Sequence, residues 1–235
     1  MSKPLAEMST LSAHYDGLTA LDAIDLTLPE QKIIAFCGPN GSGKSTALKV
    51  LRALHAPSGG EAKVAGQALD DWTPRALARE IAMLSQSPDA PEDMTVFDLA
   101  MLGRYSRRSR FSGPSAEDRS AVENALRTTG MDALAGRSIG QLSGGQVQRA
   151  WIAMTLAQDA PRIFLDEPTN HLDIAHALEI LDLLVMLNRR EQRSFVIVLH
   201  DLNHALRYAD HVVLFENGRI AAEGATRDVL TEERI

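Results

Sequence analysis

Ile33-Ile34-Ala35-Phe36-Cys37-Gly38-Pro39-Asn40-Gly41-Ser42-Gly43-Lys44-Ser45-Thr46 decides the fold of this chain. Ile33 to Cys37 is a continuous apolar run, the pattern of a strand covered on both faces. Gly38 to Ser45 matches the phosphate loop G-x-x-x-x-G-K-[ST]. After it, Ala47, Leu48, Leu51 and Leu54 fall at helical spacing and predict a helix over 46–54. Strand, glycine loop and helix in that order form an anion site. The glycines let the backbone wrap round a phosphate, several amide N–H groups point inward, and the helix dipole aims at the same charge. Lys44 would reach the β- and γ-phosphates, and the Ser45 hydroxyl would ligate Mg²⁺. Gly38, Pro39, Asn40, Gly41, Ser42, Gly43, Lys44, Ser45 and Thr46 are thus expected to hold a nucleoside triphosphate.

Working outward, Ile24, Leu26 and Leu28 alternate with Asp25 and Thr27, as in a half-buried strand, so the first thirty residues read as antiparallel sheet. A short hairpin is expected around Gly66. Ile163-Phe164-Leu165 and Phe195 to Leu199 are two further buried strands, with a helix over 174–188 between them. That alternation implies a parallel sheet with right-handed crossovers. Asn217-Gly218 predicts a terminal hairpin with a type I′ turn. Between Ser87 and Gly140 strand signals vanish. Thr95 to Asp98 and Ser115 to Asp118 each place a carboxylate three residues after a hydroxyl, a helix-start pattern. The fold class read from this is α/β: a P-loop NTPase (nucleoside triphosphatase) core with a mostly parallel sheet, an N-terminal antiparallel β subdomain and an inserted helical subdomain. Residues 1–86 and 160–235 form the core, and 87–159 the helical part, within a single domain.

Two more stretches carry chemistry. Ile163-Phe164-Leu165-Asp166-Glu167 is a strand ending in two acids. Beside a phosphate loop, Asp166 suits a Mg²⁺ role. Strand alternation would turn the Glu167 side chain the other way and free it to polarise a water. Leu142-Ser143-Gly144-Gly145-Gln146 precedes a helix over 147–156. Ser143 and Gln146 fit a plain capping box. A cap does not require two glycines, however, and the pair suggests close approach of the backbone to an anion. With no lysine, such a loop would supplement another phosphate site.

Both loops, the Asp166-Glu167 pair and their order resemble the ATP-binding cassette (ABC) ATPases over nearly the whole length, from Leu11 to about Leu230. The resemblance implies two copies packed head to tail around two ATP molecules, with Ser143, Gly144, Gly145 and Gln146 of one copy facing the ATP held by the other. It further implies adenine stacking on Tyr15, Gln86 after a strand over 81–85 contacting Mg²⁺, water and a membrane partner, Asp173 linking the two sites, and His200 contacting the γ-phosphate. Catalytic work would fall to Glu167, His200, Gln86 and Lys44, and Mg²⁺ to Ser45, Gln86 and Asp166. Met94 to Asp98, Leu102 to Tyr105, Ile174 to His176 and His200 to Asn203 are similar to importers of iron–siderophore type; haem and cobalamin importers share much of this. The implied partners are two transmembrane permease subunits and, indirectly, a periplasmic or surface substrate-binding protein, at the cytoplasmic face of the inner membrane. Gln31 or Lys32 stands where a glycine is common, and Val147 where a polar residue is. A cassette acting on ribosomes or DNA, or a phosphate-loop kinase, are the rivals; the latter has no use for Leu142 to Gln146.

The bulk numbers exclude little but agree. The chain has 235 residues and a net charge of −7, which disfavours nucleic acid as a partner. Cys37 is the single cysteine, so no intrachain disulfide is possible, and it reads as a small apolar core residue. No run approaches the roughly 18 apolar residues of a spanning helix, so a membrane would be reached through a partner. Arg104, Arg107, Arg108 and Arg110 around Tyr105 read as a solvated loop. His200 and His204 lack the glutamate of a zinc helix, and His171 and His176 read as surface polar residues.

Overall fold

The computed structural model describes residues 3–15, 17–86, 88–108, 113–170 and 172–231. Among these residues the strands form two sheets. The first is antiparallel and pairs β1 (Ala6–Tyr15) with β2 (Leu18–Leu28) and with β4 (Gly59–Val64), which turns into the short β5 (Gln67–Ala68). Burial along the end of β2 alternates at Ile24, Leu26 and Leu28, as its sequence requires. The second sheet has the order β10 (Arg219–Ala225), β9 (His211–Glu216), β3 (Ile33–Cys37), β8 (Ser194–Val198), β7 (Arg162–Asp166), β6 (Ile81–Leu84). Its pairs are parallel except for β9 with β10, the terminal hairpin. Asn217 and Gly218 have φ of 49° and 78°, the two positive values a type I′ turn needs.

β3 shows why a wholly apolar strand is required here. Ile33, Ala35 and Cys37 enter one core with the helices that carry Leu99, Leu126, Trp151 and Ile180, whereas Ile34 and Phe36 enter a second core beneath the antiparallel sheet and α1 (Lys44–Leu51). A strand buried on both faces has no polar side to offer. Helix α1 starts two residues before the expected Thr46, at the phosphate loop itself, and ends at Leu51 because Ala53 turns to φ 54°. Helix α2 (Pro74–Glu80) leads into β6, which stops at Leu84, so Gln86 lies in the following loop.

Between β6 and β7 the described residues form the helices α3 (Val96–Leu102), α4 (Ala116–Thr128) and α5 (Gly144–Ala157). Thr95 and Ser115 cap α3 and α4, accepting from the amides of Asp98 and Asp118 at 3.1 Å each. Helix α6 (Ile174–Glu191) runs nearly a turn beyond the expected end. Two short helices, α7 (Leu202–Tyr208) and α8 (Thr226–Val229), complete the set. No helix among the described residues is long and apolar enough to cross a membrane.

The arginine-rich stretch differs from its expected solvated loop. Arg104 is 2% exposed; its Nε donates to Asp118 at 2.9 Å and an Nη to the Ala157 carbonyl at 3.0 Å. Burial pushes the Asp118 carboxyl up, but its bonds from Arg104 and Ser115 outweigh that and hold it at about 2. Arg107 donates to the Gln158 carbonyl at 2.9 Å. These arginines clamp the ends of α3, α4 and α5 together, and removing one partner of such a buried pair costs about 3–5 kcal/mol. Charge counting along the sequence could not show this, because both acceptors lie far along the chain. Arg110 falls outside the described residues.

Candidate active site

The loop after β3 and the end of β7 meet under one cleft. Tyr15, Asn40 to Thr46, Gln86, Glu167, Asn170 and His200 line it, around a volume of about 750 Å³. That falls within the roughly 300–1,000 Å³ typical of small-molecule sites.

The glycine loop is shaped as much by neighbours as by any ligand. Gly38 has φ 136°, and a Cβ there would lie 2.1 Å from the Phe215 carbonyl oxygen of β9. Gly43 has φ 107°, and its Cβ would meet the Ala20 carbonyl oxygen of β2 at 2.6 Å. Both sheets therefore press on the loop. Lys44 is 4% exposed and curls inward, its Nζ donating to the Gly38 carbonyl at 2.9 Å and the Pro39 carbonyl at 2.7 Å. Burial pushes its ammonium below the ordinary value, against the charges of Glu167, Cys37 and Asp166. A buried cation so placed is suited to a phosphate.

Ser45 Oγ donates to Asp166 at 2.7 Å across 121 residues of chain. Burial holds the Asp166 carboxyl above its ordinary value, with the Ser45 bond opposing part of the rise. A hydroxyl and a carboxylate side by side are the hard oxygens Mg²⁺ accepts, and Mg²⁺ takes only one or two of them beside substrate phosphates. The residues present fit both a triphosphate and its metal.

Glu167 departs from the expected strand alternation. It lies past the end of β7 with φ 55°, a left-handed backbone, so pleating does not set its direction. Its side chain is 8% exposed and gathers three partners. Gln86 Nε2 donates to Oε2 at 2.6 Å, Asn170 Nδ2 donates to the same oxygen, and His200 Nε2 meets Oε1 at 2.5 Å. Non-glycine residues in this backbone region cost about 1–3 kcal/mol and persist where the surroundings over-determine them, commonly at working sites. Gln86, Glu167 and His200 are thus brought together as expected. Asn170 was not anticipated as a member; its position three residues after Glu167, in a turn, was the available signal.

Cys37 is fully buried, and burial pushes its thiol up to about 12, with Lys44 opposing. We expect the native chain to resist thiol-disulfide reagents at pH 8 and to react fully once denatured, since the thiolate is the reactive form. Rapid native labelling, followed by thionitrobenzoate release, would contradict this.

The second glycine loop lies outside this cleft in the single chain. Ser143 and Gln146 form a reciprocal cap at the start of α5, with bonds of 3.0 and 3.4 Å. Helix α5 begins at Gly144, earlier than expected. A Cβ on Gly144 would meet nothing, whereas one on Gly145 would approach the His176 ring to 3.0 Å. His176 is held by Asp173, which caps α6 and takes a 2.8 Å contact from Nδ1. One of the two glycines therefore has an occupant within its own chain, and His176 has a packing role that its sequence neighbours do not reveal.

Comparison with known proteins agrees with this geometry. Residues 21–170 match the family model described as ABC transporter. The chain is 48% identical to the "Probable siderophore transport system ATP-binding protein YusV" of Bacillus subtilis, over 94% of this chain and 81% of that protein. It is 45% identical to the petrobactin import ATP-binding protein FpuD of Bacillus anthracis, over 100% of this chain and 86% of that protein. Among solved structures, the dimeric ATP-binding cassette MJ0796 in a post-hydrolysis state with ADP and Pi superposes with a TM-score of 0.83 at 27% identity, over 94% of this chain and 99% of that one. A buried lysine in a glycine loop, a Ser45–Asp166 pair and a triply held glutamate are what hydrolysis of ATP asks for, and with these matches the chain belongs to the ABC transporter family, as one of its ATP-hydrolysing cassettes.

Proposed function

We propose that this chain is the ATPase subunit of an importer for iron–siderophore-type metal chelates, working as a head-to-tail pair of copies beneath two transmembrane permease subunits. The location is peripheral, at the cytoplasmic face of the inner membrane, with a substrate-binding protein delivering cargo from outside. The observation that carries the reading is the Glu167 constellation, together with relatives at 48% and 45% identity whose names specify siderophore and petrobactin. The dimeric solved relative supports pairing.

In this reading Lys44 and the loop amides bind the β- and γ-phosphates, and Ser143 and Gly145 of the partner subunit stabilise charge on the γ-phosphoryl. Glu167 orients and polarises the attacking water, with Gln86 and His200 holding its carboxylate. Ser45, Asp166 and Gln86 would hold Mg²⁺, which when bound neutralises charge developing on the phosphate oxygens. Tyr15 carries adenine on its ring. Residues 87–159 form the lobe that moves against the core as two copies close. Asp173, which holds the His176 ring against Gly145, links the sites.

Membrane subunits that co-purify with the chain, reconstituted in vesicles with ATP on the cassette side, test the cargo. Uptake of a ferric hydroxamate or catecholate is expected, with cobalamin and haem not transported. Uptake of cobalamin or haem in place of the iron chelates would refute the assignment.

A further inference from the structure

Tyr15 ends β1 and is 38% exposed at the rim of the nucleotide cleft. An exposed ring on a hairpin tip would sample several rotamers, and a base stacking on it would have to immobilise it. One face of the Tyr15 ring is already occupied. The His55 imidazole stacks on it with centroids 4.1 Å apart and planes 25° from parallel. His55 does not line the cleft, whereas Tyr15 does. The tyrosine therefore stands between the imidazole and the nucleotide space.

The imidazole is itself fixed. Past α1 the chain reverses at Ala53, with φ 54°, and the Leu54 and His55 amides both donate to the Lys49 carbonyl, at 2.8 and 3.3 Å. That returns His55 towards β1. Its Nε2 lies 3.1 Å from the His14 carbonyl oxygen, which can only accept, so Nε2 carries the proton. The His14 ring is in turn 2.6 Å from Ser58 Oγ, and the Ser58 amide donates to the Ser12 carbonyl at 2.8 Å. The turn that follows the helix starting at Lys44 thus braces the Tyr15 ring at the rim of the cleft.

We infer that His55 is a positioning residue for the nucleotide base: it forms the back layer of a three-layer stack, adenine on Tyr15 on His55, and holds Tyr15 ready. The inference rests on the proposed placement of adenine against Tyr15. Pre-ordering a side chain removes part of the entropy lost when a ligand binds, and an offset aromatic pair contributes a small, measurable amount of its own. The effect must act on the base and not on the phosphates.

The test uses the full chain with two probes that do not turn over, ADP and inorganic pyrophosphate, measured by calorimetry and by competition with ADP. His55→Ala is expected to weaken ADP about three- to tenfold, the range of an aromatic pair, with pyrophosphate unchanged. His55→Phe, which keeps the stack without the hydrogen bond, should recover most of the loss. In a Tyr15→Ala background, His55→Ala should add nothing. Equal weakening of both probes, or an undiminished His55→Ala effect without Tyr15, would overturn the inference in favour of a merely structural role. If Tyr15→Ala weakens ADP and His55→Ala does not, this inference alone fails. If Tyr15→Ala leaves ADP unchanged, the placement of adenine fails, and the inference with it.

Discussion

Glu167→Gln leaves ATP bound and hydrolysis stalled: we expect kcat to fall about 10²- to 10⁴-fold, the range of a lost general base, with the Kd for ATP changed less than about twofold. The amide has the shape of the carboxylate it replaces. Gln86 and Asn170, the amide donors to Oε2, can each rotate to present an oxygen, so the cluster can re-pair around the NH₂ of the substituted side chain without opening. What the amide cannot do is accept the proton that the attacking water gives up. With the reaction blocked, the ATP-bound pair should persist, so the variant should elute as a dimer with ATP and Mg²⁺ and as a monomer without nucleotide. Near-normal turnover would remove Glu167 from its proposed role. A strictly monomeric ATP complex would remove the shared site while leaving Glu167 in place.

Lys44→Ala should lose the nucleotide rather than the chemistry. Its ammonium is buried and bonds to the oxygens of Gly38, Pro39 and Ser42, neutral acceptors that a phosphate can replace. A hydrogen bond to a charged group contributes about 1.5–3 kcal/mol, so the loss of one such contact predicts ATP binding about 10- to 150-fold weaker, by titration calorimetry. Thermal melting without nucleotide should change little, because Gly38 is only half-buried and Pro39 is exposed, so water can take the place of the ammonium at their carbonyls. A Kd within twofold of the parent would show that Lys44 does not reach the phosphates. Together the two variants separate binding from turnover.

Much of this was legible in the residues. Period-two alternation marked the end of β2, unbroken apolar runs marked β3, β7 and β8, and Asn217-Gly218 marked its turn, because each depends on neighbours a few positions away. The phosphate loop and the caps at Thr95, Ser115 and Ser143 are local in the same sense. Errors came where a distant group decided the outcome. Arg104 looked like part of a solvated knot until Asp118 and the end of α5 enclosed it. Pleating gives Glu167 a direction only while the strand lasts, but the strand ends one residue earlier and the Glu167 backbone is left-handed. Gly145 looked like a phosphate glycine and also proved to be a seat for His176.

The sequence by itself determined the fold class, the phosphate loop and the identity of the acids, because strand period, glycine spacing and capping are properties of short segments. Only the tertiary structure decided which groups meet. Gln86 reaches Glu167 across 81 positions and Ser45 reaches Asp166 across 121. His55 backs Tyr15 because the turn after α1 returns to the end of β1. Such contacts depend on how two cores stack on either side of one sheet, and no local pattern encodes a distance through a core.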